Sequence, residues 1–116
     1  MLGLRNAGHV SRIGNYSEYC AQKGFVSIHF VNVWGHGPLV APHGSSQAGF
    51  STNPISIGIP VNGEAKPMLD MATSTVAMGK VRVAHNRGEK IPLGWVLDID
   101  GVETCLLYTS PSPRDS

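Results

Sequence analysis

Residues 52–74 read TNPISIGIPVNGEAKPMLDMATS, and this stretch decides the fold. In Ile55–Ile59 an isoleucine alternates with a small residue, which predicts a strand with one buried face. Asn62-Gly63 is a turn dipeptide that favours a tight hairpin. Residues 67–71 predict a second short strand, so we expect the two strands to pair antiparallel. The hydroxyl-rich residues that follow predict the start of a helix, whose first backbone N–H groups could face an anion.

A first helix is predicted over about residues 11–23. Ser11 is a good N-cap residue and Gly24 is a good C′ residue. Between them, apolar residues recur at helical spacing. The β-branched and aromatic run at 25–33 then predicts a mostly buried strand, so the two elements form an α/β unit. The apolar positions of the helix are Ile13, Tyr16 and Cys20.

A second helix is predicted over roughly residues 73–87. Gly88 can close it, and Gly79 would lie near its middle, at a cost of ~1 kcal/mol relative to alanine. A glycine there permits close approach of another backbone or a ligand. A last short strand is predicted at 95–98, before a turn at 98–101. The candidate caps of the helix are Thr73, Ser74 and Thr75.

The ends of the chain differ in character from its middle. We expect residues 1–105 to form a partial domain that is incomplete at both ends, and residues 106–116 to be a foreign or disordered tail, because they are rich in serine and proline. The long loop at 35–54 is of the kind that is usually functional or mobile. The N-terminus shows no signal-peptide pattern.

Composition excludes several classes of function. Hydrophobic residues make up 41% of the 116 residues and charged residues 15%, which is typical of a globular domain. The net charge of +1 offers no basic footprint for nucleic acid, and no apolar run approaches the ~20 residues of a membrane span. Cys20 and Cys105 lack a C-x-x-C spacing, so we expect two reduced thiols in a cytoplasmic protein.

Histidines are the first candidates for chemistry. His9 precedes the first helix, where a neutral imidazole could act as an acid or a base, and Arg12 could hold a carboxylate or phosphate. His29, His36 and His43 are seven residues apart, but their spacing is not that of a zinc site, so we expect no metal.

Motifs of other enzyme classes are missing from the sequence. The serine-containing run at 44–49 lacks the G-x-S-x-G spacing of a nucleophile elbow. No Rossmann or P-loop glycine motif occurs. Asp70 could accept ribose hydroxyls or cap a helix, Thr52 could bind a ligand or only form a turn, and Lys80 could act or simply be solvated.

Six segments resemble, in order, motifs of the malate/L-lactate dehydrogenase family, whose members are non-Rossmann NAD(P)-dependent 2-hydroxyacid oxidoreductases. The similarity covers about residues 3–104. Each motif is weak alone, but six in the same order are specific. The segments are GHVSRIG at 8–14 (family GHIGRxG), LVAPHG at 39–44 (xVAPFGG), TNPISI at 52–57 (TNPIAI), LDMATS at 69–74, GKV at 79–81 and RGEKIPLGW at 87–95.

The resemblance implies both a fold and a reaction. The fold is α/β, with a mostly antiparallel or mixed sheet flanked by helices in a non-Rossmann cofactor-binding domain. The reaction is hydride transfer between NAD or NADP and a small 2-oxo or 2-hydroxy acid of the malate, lactate or ureidoglycolate type. The resemblance also implies a homodimer, while charge and composition predict no nucleic-acid or membrane partner.

The resemblance assigns roles by matching position. His9 matches an acid/base histidine, and Thr52 matches a substrate-contacting threonine. Lys80 stands where some members carry an acidic residue. We also expect the starts of both helices to converge on the pyrophosphate beside His9. The residues that match cofactor contacts are Ile13, Gly14, Asn15, Tyr16, Ser17, Asp70, Met71, Ala72, Met78 and Gly79.

The sequence also departs from the family pattern. Ser11 replaces a small glycine, and His43 and Ser45 stand where Phe and Gly are usual. The family's N-terminal Ser-His pair and substrate-binding arginine are missing, as is its C-terminal Lys-Gly segment. Two other hypotheses therefore stay open: a non-catalytic ligand-binding or assembly domain on the same scaffold, and an unrelated α/β hydrolase or lyase.

Overall fold

A computed structural model describes residues 1–33, 35 and 37–107 of the chain. The fold is mixed α/β with an antiparallel sheet, as the sequence predicts. The elements, in chain order, are α1 (Gly14–Gln22), β1 (Ser27–Phe30), β2 (Ile55–Val61), β3 (Glu64–Met71), α2 (Met78–Asn86), β4 (Val96–Leu97) and β5 (Glu103–Thr104).

The chain divides into two compact units. Unit 1 comprises Met1–Val31 and Pro54–Met71, and unit 2 comprises Asn32–Asn53 and the chain from Ala72 onward. Unit 1 holds α1 and a three-stranded sheet of order β1-β2-β3. Unit 2 holds α2 and the β4-β5 pair.

The predicted hairpin of unit 1 is confirmed. Strands β2 and β3 pair antiparallel, with Ser56 opposite Asp70. Asn62 and Gly63 both have positive φ, at 52° and 80°, which is the backbone that a two-residue type I′ turn requires. The pairing therefore returns Asp70 to the end of the sheet where β2 begins.

Helix α1 begins later than predicted and buries only part of the predicted face. Ser11 is not its N-cap, since a φ of 62° takes its backbone out of the helix, and Ile13 occupies that position. Tyr16 is 47% exposed. The predicted apolar face holds for Ile13, which is buried, but not for Tyr16, and Cys20 is half-buried. Where the helix approaches the sheet closely, large side chains do not fit. The buried residues of the helix are the small ones, namely Gly14, Ser17 and Ala21.

A buried polar contact joins α1 to the sheet. The hydroxyls of Ser17 and Ser56 lie 2.7 Å apart, and Ser56 donates to the carbonyl of Leu69 at 3.0 Å. Because the single hydroxyl hydrogen of Ser56 is used on Leu69, Ser17 is the donor to Ser56. A Cβ atom on Gly58 would lie 3.0 Å from the Ser17 carbonyl oxygen. The glycine thus permits the close helix–strand approach.

The sheet is not as buried as the sequence predicts. The predicted strand at 25–33 shortens to β1, and Phe30 is 77% exposed. On β2 the fully or nearly buried residues are Ser56 and Gly58, whereas Ile59 is 40% exposed. The alternation was interpreted correctly as a strand, but the polar face is the one that packs against α1.

Helix α2 also begins later than predicted. Its N-cap is Ala77, which makes no side-chain capping bond. Two of the expected capping residues lie before the helix and make other hydrogen bonds. Thr73 Oγ1 donates to Thr52 O and Ser74 Oγ donates to Val76 O, both at 3.0 Å. Gly79 is therefore the second residue of the helix and not its middle. Gly88, with a φ of 66°, follows the helix end as predicted.

The strand predicted at 95–98 is present as β4, and it pairs with a further strand, β5, that was not predicted. β4 pairs antiparallel with β5, and Asp98 Oδ1 accepts the backbone N–H groups of Asp100 and Val102 in the turn between them. Within the described ranges, neither of the two nine-residue helices is long and apolar enough to cross a bilayer. Cys20 and Cys105 are free thiols.

Candidate functional site

His9 lies in a segment without regular secondary structure before α1 and is exposed. Its Nδ1 atom accepts the backbone N–H of Ser11 at 3.0 Å. Its Nε2 atom makes no hydrogen bond with any residue that the structure describes. The imidazole therefore has one nitrogen engaged by the chain and one available to a ligand.

Asp70 closes the N-terminus of α1. Its Oδ2 atom accepts the backbone N–H of Gly14 at 3.1 Å and the Nε–H of Arg12 at 3.1 Å. The sequence left Asp70 open between a ribose acceptor and a cap of the helix that follows it, whereas the structure shows Asp70 at the start of α1 and no side-chain cap on α2. A Cβ atom on Gly14 would lie about 2.4 Å from that same oxygen, so the contact requires glycine.

Arg12 donates hydrogen bonds to several side chains around the start of α1. Its Nη2 donates to Glu18 Oε1 and its Nη1 donates to Asn15 Oδ1, both at 3.0 Å. The Glu18 carboxylate, and after it Asp70, raises the pKa of the Arg12 guanidinium above its ordinary value. The side chain is half-exposed, so the contribution of these pairs to stability is small, but they orient the charge.

The first backbone N–H groups of α1 already have partners. Gly14 donates to Asp70, Asn15 donates to the carbonyl of Arg12 at 3.3 Å, and Tyr16 donates to that of Ile13 at 3.0 Å. A carboxylate already sits at the positive end of the helix dipole. This helix start therefore differs from the expected opening with unpaired amides.

Helix α2 presents the opposite arrangement. Its first turn contains no acidic residue, and no described residue accepts a hydrogen bond from the backbone N–H groups of Met78 and Gly79. A Cβ atom on Gly79 would meet nothing within 4 Å. Unpaired amides at a helix start with open space beside them are what an anion requires.

The turn around Thr52 is held by its backbone. Thr73 donates to the Thr52 carbonyl through both its N–H and its hydroxyl, at 3.0 Å each. The Thr52 hydroxyl makes no hydrogen bond with the described part of the chain. A hollow of about 420 Å³ in unit 2 is lined by residues that include His43, Asn53 and Thr73. Thr52 is half-buried next to Asn53 in sequence.

The structure brings together some predicted site residues within each unit. In unit 1, Asp70 contacts the α1 start; in unit 2, Met78 and Gly79 open α2. The predicted convergence of both helix starts on one dinucleotide stays a prediction. The unit 1 residues are His9, Ile13, Gly14, Asn15, Tyr16, Ser17, Asp70 and Met71, and those of unit 2 are Thr52, Ala72, Met78 and Gly79.

Other predicted residues bear on the site only indirectly. Lys80 is exposed and lines an open hollow of about 400 Å³ together with Gly79, Glu89 and Trp95. Among residues 1–33, 35 and 37–107, no three His, Cys, Asp or Glu side chains gather in a way that could hold a metal. His36 of the seven-residue histidine series lies outside the described residues, as do residues 108–116 of the predicted tail.

The sequence did not predict that Tyr16 contacts the segment before α1. Its hydroxyl donates to the backbone carbonyl of Val10 at 3.1 Å, six residues away. Its ring lies 6.2 Å from that of His29, centroid to centroid. Helical spacing does not predict this contact, because Val10 lies before the start of α1 and the backbone at Ser11 is not helical. No sequence signal could have found it.

Comparisons with known proteins give a consistent result. A profile of the malate/L-lactate dehydrogenase family matches residues 1–105. Hydroxycarboxylate dehydrogenase B of Escherichia coli K12 is 45% identical over 103 residues, covering 89% of this chain and 28% of that protein. The NAD(+)-dependent ureidoglycolate dehydrogenase of Escherichia coli K12 is 33% identical over 90% of this chain and 29% of its own length. The NADP(+)-dependent (2R)-3-sulfolactate dehydrogenase of Chromohalobacter salexigens is 38% identical over 89% and 30%.

Solved structures agree. The crystal structure of a dehydrogenase from Sinorhizobium meliloti superposes with a TM-score of 0.79 at 39% identity, over 90% of this chain and 30% of that one. The chain thus spans less than a third of the length of these relatives. Because the family profile matches nearly the whole chain, the chain belongs to the malate/L-lactate dehydrogenase family.

Proposed function

We propose that a longer protein containing this chain is an NAD(P)-dependent oxidoreductase. It transfers hydride between the nicotinamide and C2 of a small 2-oxo or 2-hydroxy acid. The match of residues 1–105 to the dehydrogenase family carries this proposal. The structure supports it with an exposed imidazole, His9, whose Nε2 atom is available to a substrate oxygen.

Several residues of this chain would hold the cofactor, and each would contact a different part of it. The unpaired amides of Met78 and Gly79 suit a phosphate of NAD or NADP. Asp70 uses Oδ2 for the helix, while Oδ1, which accepts no bond from the described residues, could take a ribose hydroxyl. The bound nicotinamide would supply or accept the hydride. Ile13–Ser17, Met71 and Ala72 stay predicted contacts.

The substrate side of the proposal rests on two residues. His9, which matches an acid/base histidine of the family, would face the C2 oxygen, since hydride transfer to a carbonyl leaves an oxygen that must be protonated. Thr52, whose hydroxyl has no partner in the described chain, would contact the acid. Malate-, lactate- and ureidoglycolate-type acids are the substrate classes to test.

The proposal is tested with the complete reading frame. Oxidation of NADH and NADPH is followed spectrophotometrically with a panel of 2-oxo acids. We expect turnover with one cofactor and a loss of ~10²–10⁴-fold in kcat for His9→Ala. His85→Ala changes an exposed histidine of α2 that has no assigned role, so it should keep full activity. No turnover of any 2-oxo acid, or equal rates for both variants, contradicts the proposal.

Three further expectations belong to the same proposal. The 116-residue chain alone should show no dehydrogenase activity, because it spans under a third of its relatives. The complete protein should elute as a homodimer in size-exclusion chromatography with light scattering. We also propose a cytoplasmic location, which suits two free thiols and which cell fractionation tests.

A further inference from the structure

One peptide unit next to His9 is held on both of its polar sides. The carbonyl of Val10 accepts the hydroxyl of Tyr16 at 3.1 Å. The N–H of Ser11, which belongs to the same peptide plane, donates to His9 Nδ1 at 3.0 Å. A hydrogen bond on one side of a peptide polarises the group on its other side, so the two contacts reinforce each other.

The backbone at Ser11 makes this arrangement possible. Its φ of 62° is in the left-handed region, which a non-glycine residue adopts infrequently. The N–H of Ser11 donates to the imidazole two residues earlier. The serine side chain takes no part in this contact, which is made by the backbone N–H.

The contact defines where the imidazole proton lies. A nitrogen that accepts a hydrogen bond carries no proton, so the proton of the neutral ring is on Nε2. We propose that Tyr16 is a positioning residue that, through the Val10–Ser11 peptide, holds His9 in its Nε2–H form. His9 then presents a hydrogen-bond donor to a ligand oxygen, such as the carbonyl or alkoxide oxygen on C2 of a 2-oxo acid.

This role of His9 rests on the proposed function, but the positioning does not. In the Nε2–H form the neutral ring cannot accept a proton at Nε2, so its interaction with a substrate carbonyl is that of a donor. A second proton on Nδ1 would place two donors, Nδ1–H and Ser11 N–H, against each other. Protonation of the ring therefore has to open the contact with Ser11.

The proposal is tested by ¹⁵N NMR on the 116-residue chain at about pH 8.5, where an ordinary imidazole is neutral. We expect a scalar coupling across the hydrogen bond between the nitrogen of Ser11 and Nδ1 of His9. We also expect the His9 nitrogens to report a single Nε2–H form. His43 and His85, which have no hydrogen bond within the described chain, should report an average of both forms. A protonated Nδ1, or an average like that of His43, overturns the proposal.

Variants separate the positioning from general stability. Tyr16→Phe removes only the hydroxyl and should lower the population of the bonded His9 form roughly two- to tenfold, which is the effect of one hydrogen bond. Tyr19→Phe is the matched control, since Tyr19 is on the same helix, is 63% exposed and has its ring near Lys23. Ser11→Ala should leave the coupling unchanged, because the backbone donates.

The outcomes remain distinct from those of the activity assay. If Tyr16→Phe fails to fold, the coupling in the unaltered chain decides the question. An unchanged coupling in a folded Tyr16→Phe variant overturns the role of Tyr16. If the coupling is present and the complete protein is inactive with every 2-oxo acid, the proposed function fails and the positioning of His9 stands.

Discussion

The starts of the two helices differ in whether their first backbone N–H groups have hydrogen-bond partners. At α1, Asp70 and backbone carbonyls satisfy the first N–H groups, and Arg12 neutralises the carboxylate. At α2, the N-cap is an alanine, and the N–H groups of Met78 and Gly79 have no partner among the described residues. The α1 start is therefore built for stability, whereas the α2 start keeps its capacity to bind an anion.

The two glycines at these starts show the same contrast. Gly14 is crowded, because the carboxylate of Asp70 occupies the place of its missing side chain. Gly79 is open on that side. A glycine can thus be required by a close contact in one helix and be structurally dispensable in the other. Three substitutions test this comparison.

The largest effect is expected for Gly14→Ala. The new methyl group would lie about 2.4 Å from Asp70 Oδ2 and 2.9 Å from Asp70 Cγ, so the carboxylate has to leave its position. Loss of the cap together with overpacking should lower the free energy of unfolding by about 2 kcal/mol. Urea unfolding followed by circular dichroism measures this.

A double-mutant cycle identifies the cause. In the background of Asp70→Ala the carboxylate clash is absent, and the remaining close neighbour, Arg12 Nη2 at 3.0 Å, is the end of a flexible side chain. Gly14→Ala should then cost close to nothing or stabilise the helix slightly. If the two changes are additive, Asp70 does not explain the need for glycine, and the contrast between the helix starts loses its main support.

The second effect has the opposite sign. Gly79→Ala introduces a methyl group into open space and replaces a poor helix former, so it should raise the free energy of unfolding by up to ~1 kcal/mol. The same urea titration measures it. Destabilisation would mean that the α2 start is packed in the chain and is not the open end described above.

The smallest effect is expected when α2 receives the cap that it lacks. Ala77 has the extended backbone of an N-cap, with φ −80° and ψ 137°, so in Ala77→Ser the new hydroxyl oxygen can accept a backbone N–H of the first turn. We expect a gain of about 0.5 kcal/mol. Ala48→Ser, in an exposed loop position, is the matched control and should change nothing.

If Ala77→Ser brings no gain over Ala48→Ser, the amides of the α2 start already have an acceptor. In the complete protein, the same substitution offers a further check. A serine oxygen that occupies the amides should weaken cofactor binding, which a rise in the apparent Kd for NADH or NADPH would report.

Part of the fold could be predicted because its causes are local. Asn62-Gly63 adopts positive φ at little cost, so the hairpin followed from two residues. Gly88 ended a helix for the same reason. The starts of the helices could not be predicted from capping residues. Ser11 and Thr73 are good caps in general, but their backbone groups and hydroxyls are used in contacts with His9 and Thr52.

The candidate site shows the same division. The identity of His9, Thr52 and Asp70 as site candidates followed from motif order. The assignment of Asp70 as the cap of α1 did not, because 56 residues separate it from Gly14 and only the pairing of β2 with β3 brings them together. The apolar face of α1 was predicted only in part: Ile13 is buried, but helical spacing cannot show that Ser17 packs against Ser56 and Gly58.

The amino-acid sequence by itself determined the family, the hairpin and the helix stops, because these depend on residue order and on the intrinsic backbone preferences of glycine and asparagine. Only the tertiary structure decided which helix start is closed and which is open. Those outcomes depend on contacts between atoms that are held within about 3 Å by folding, and pairing at that distance is not encoded in any local pattern.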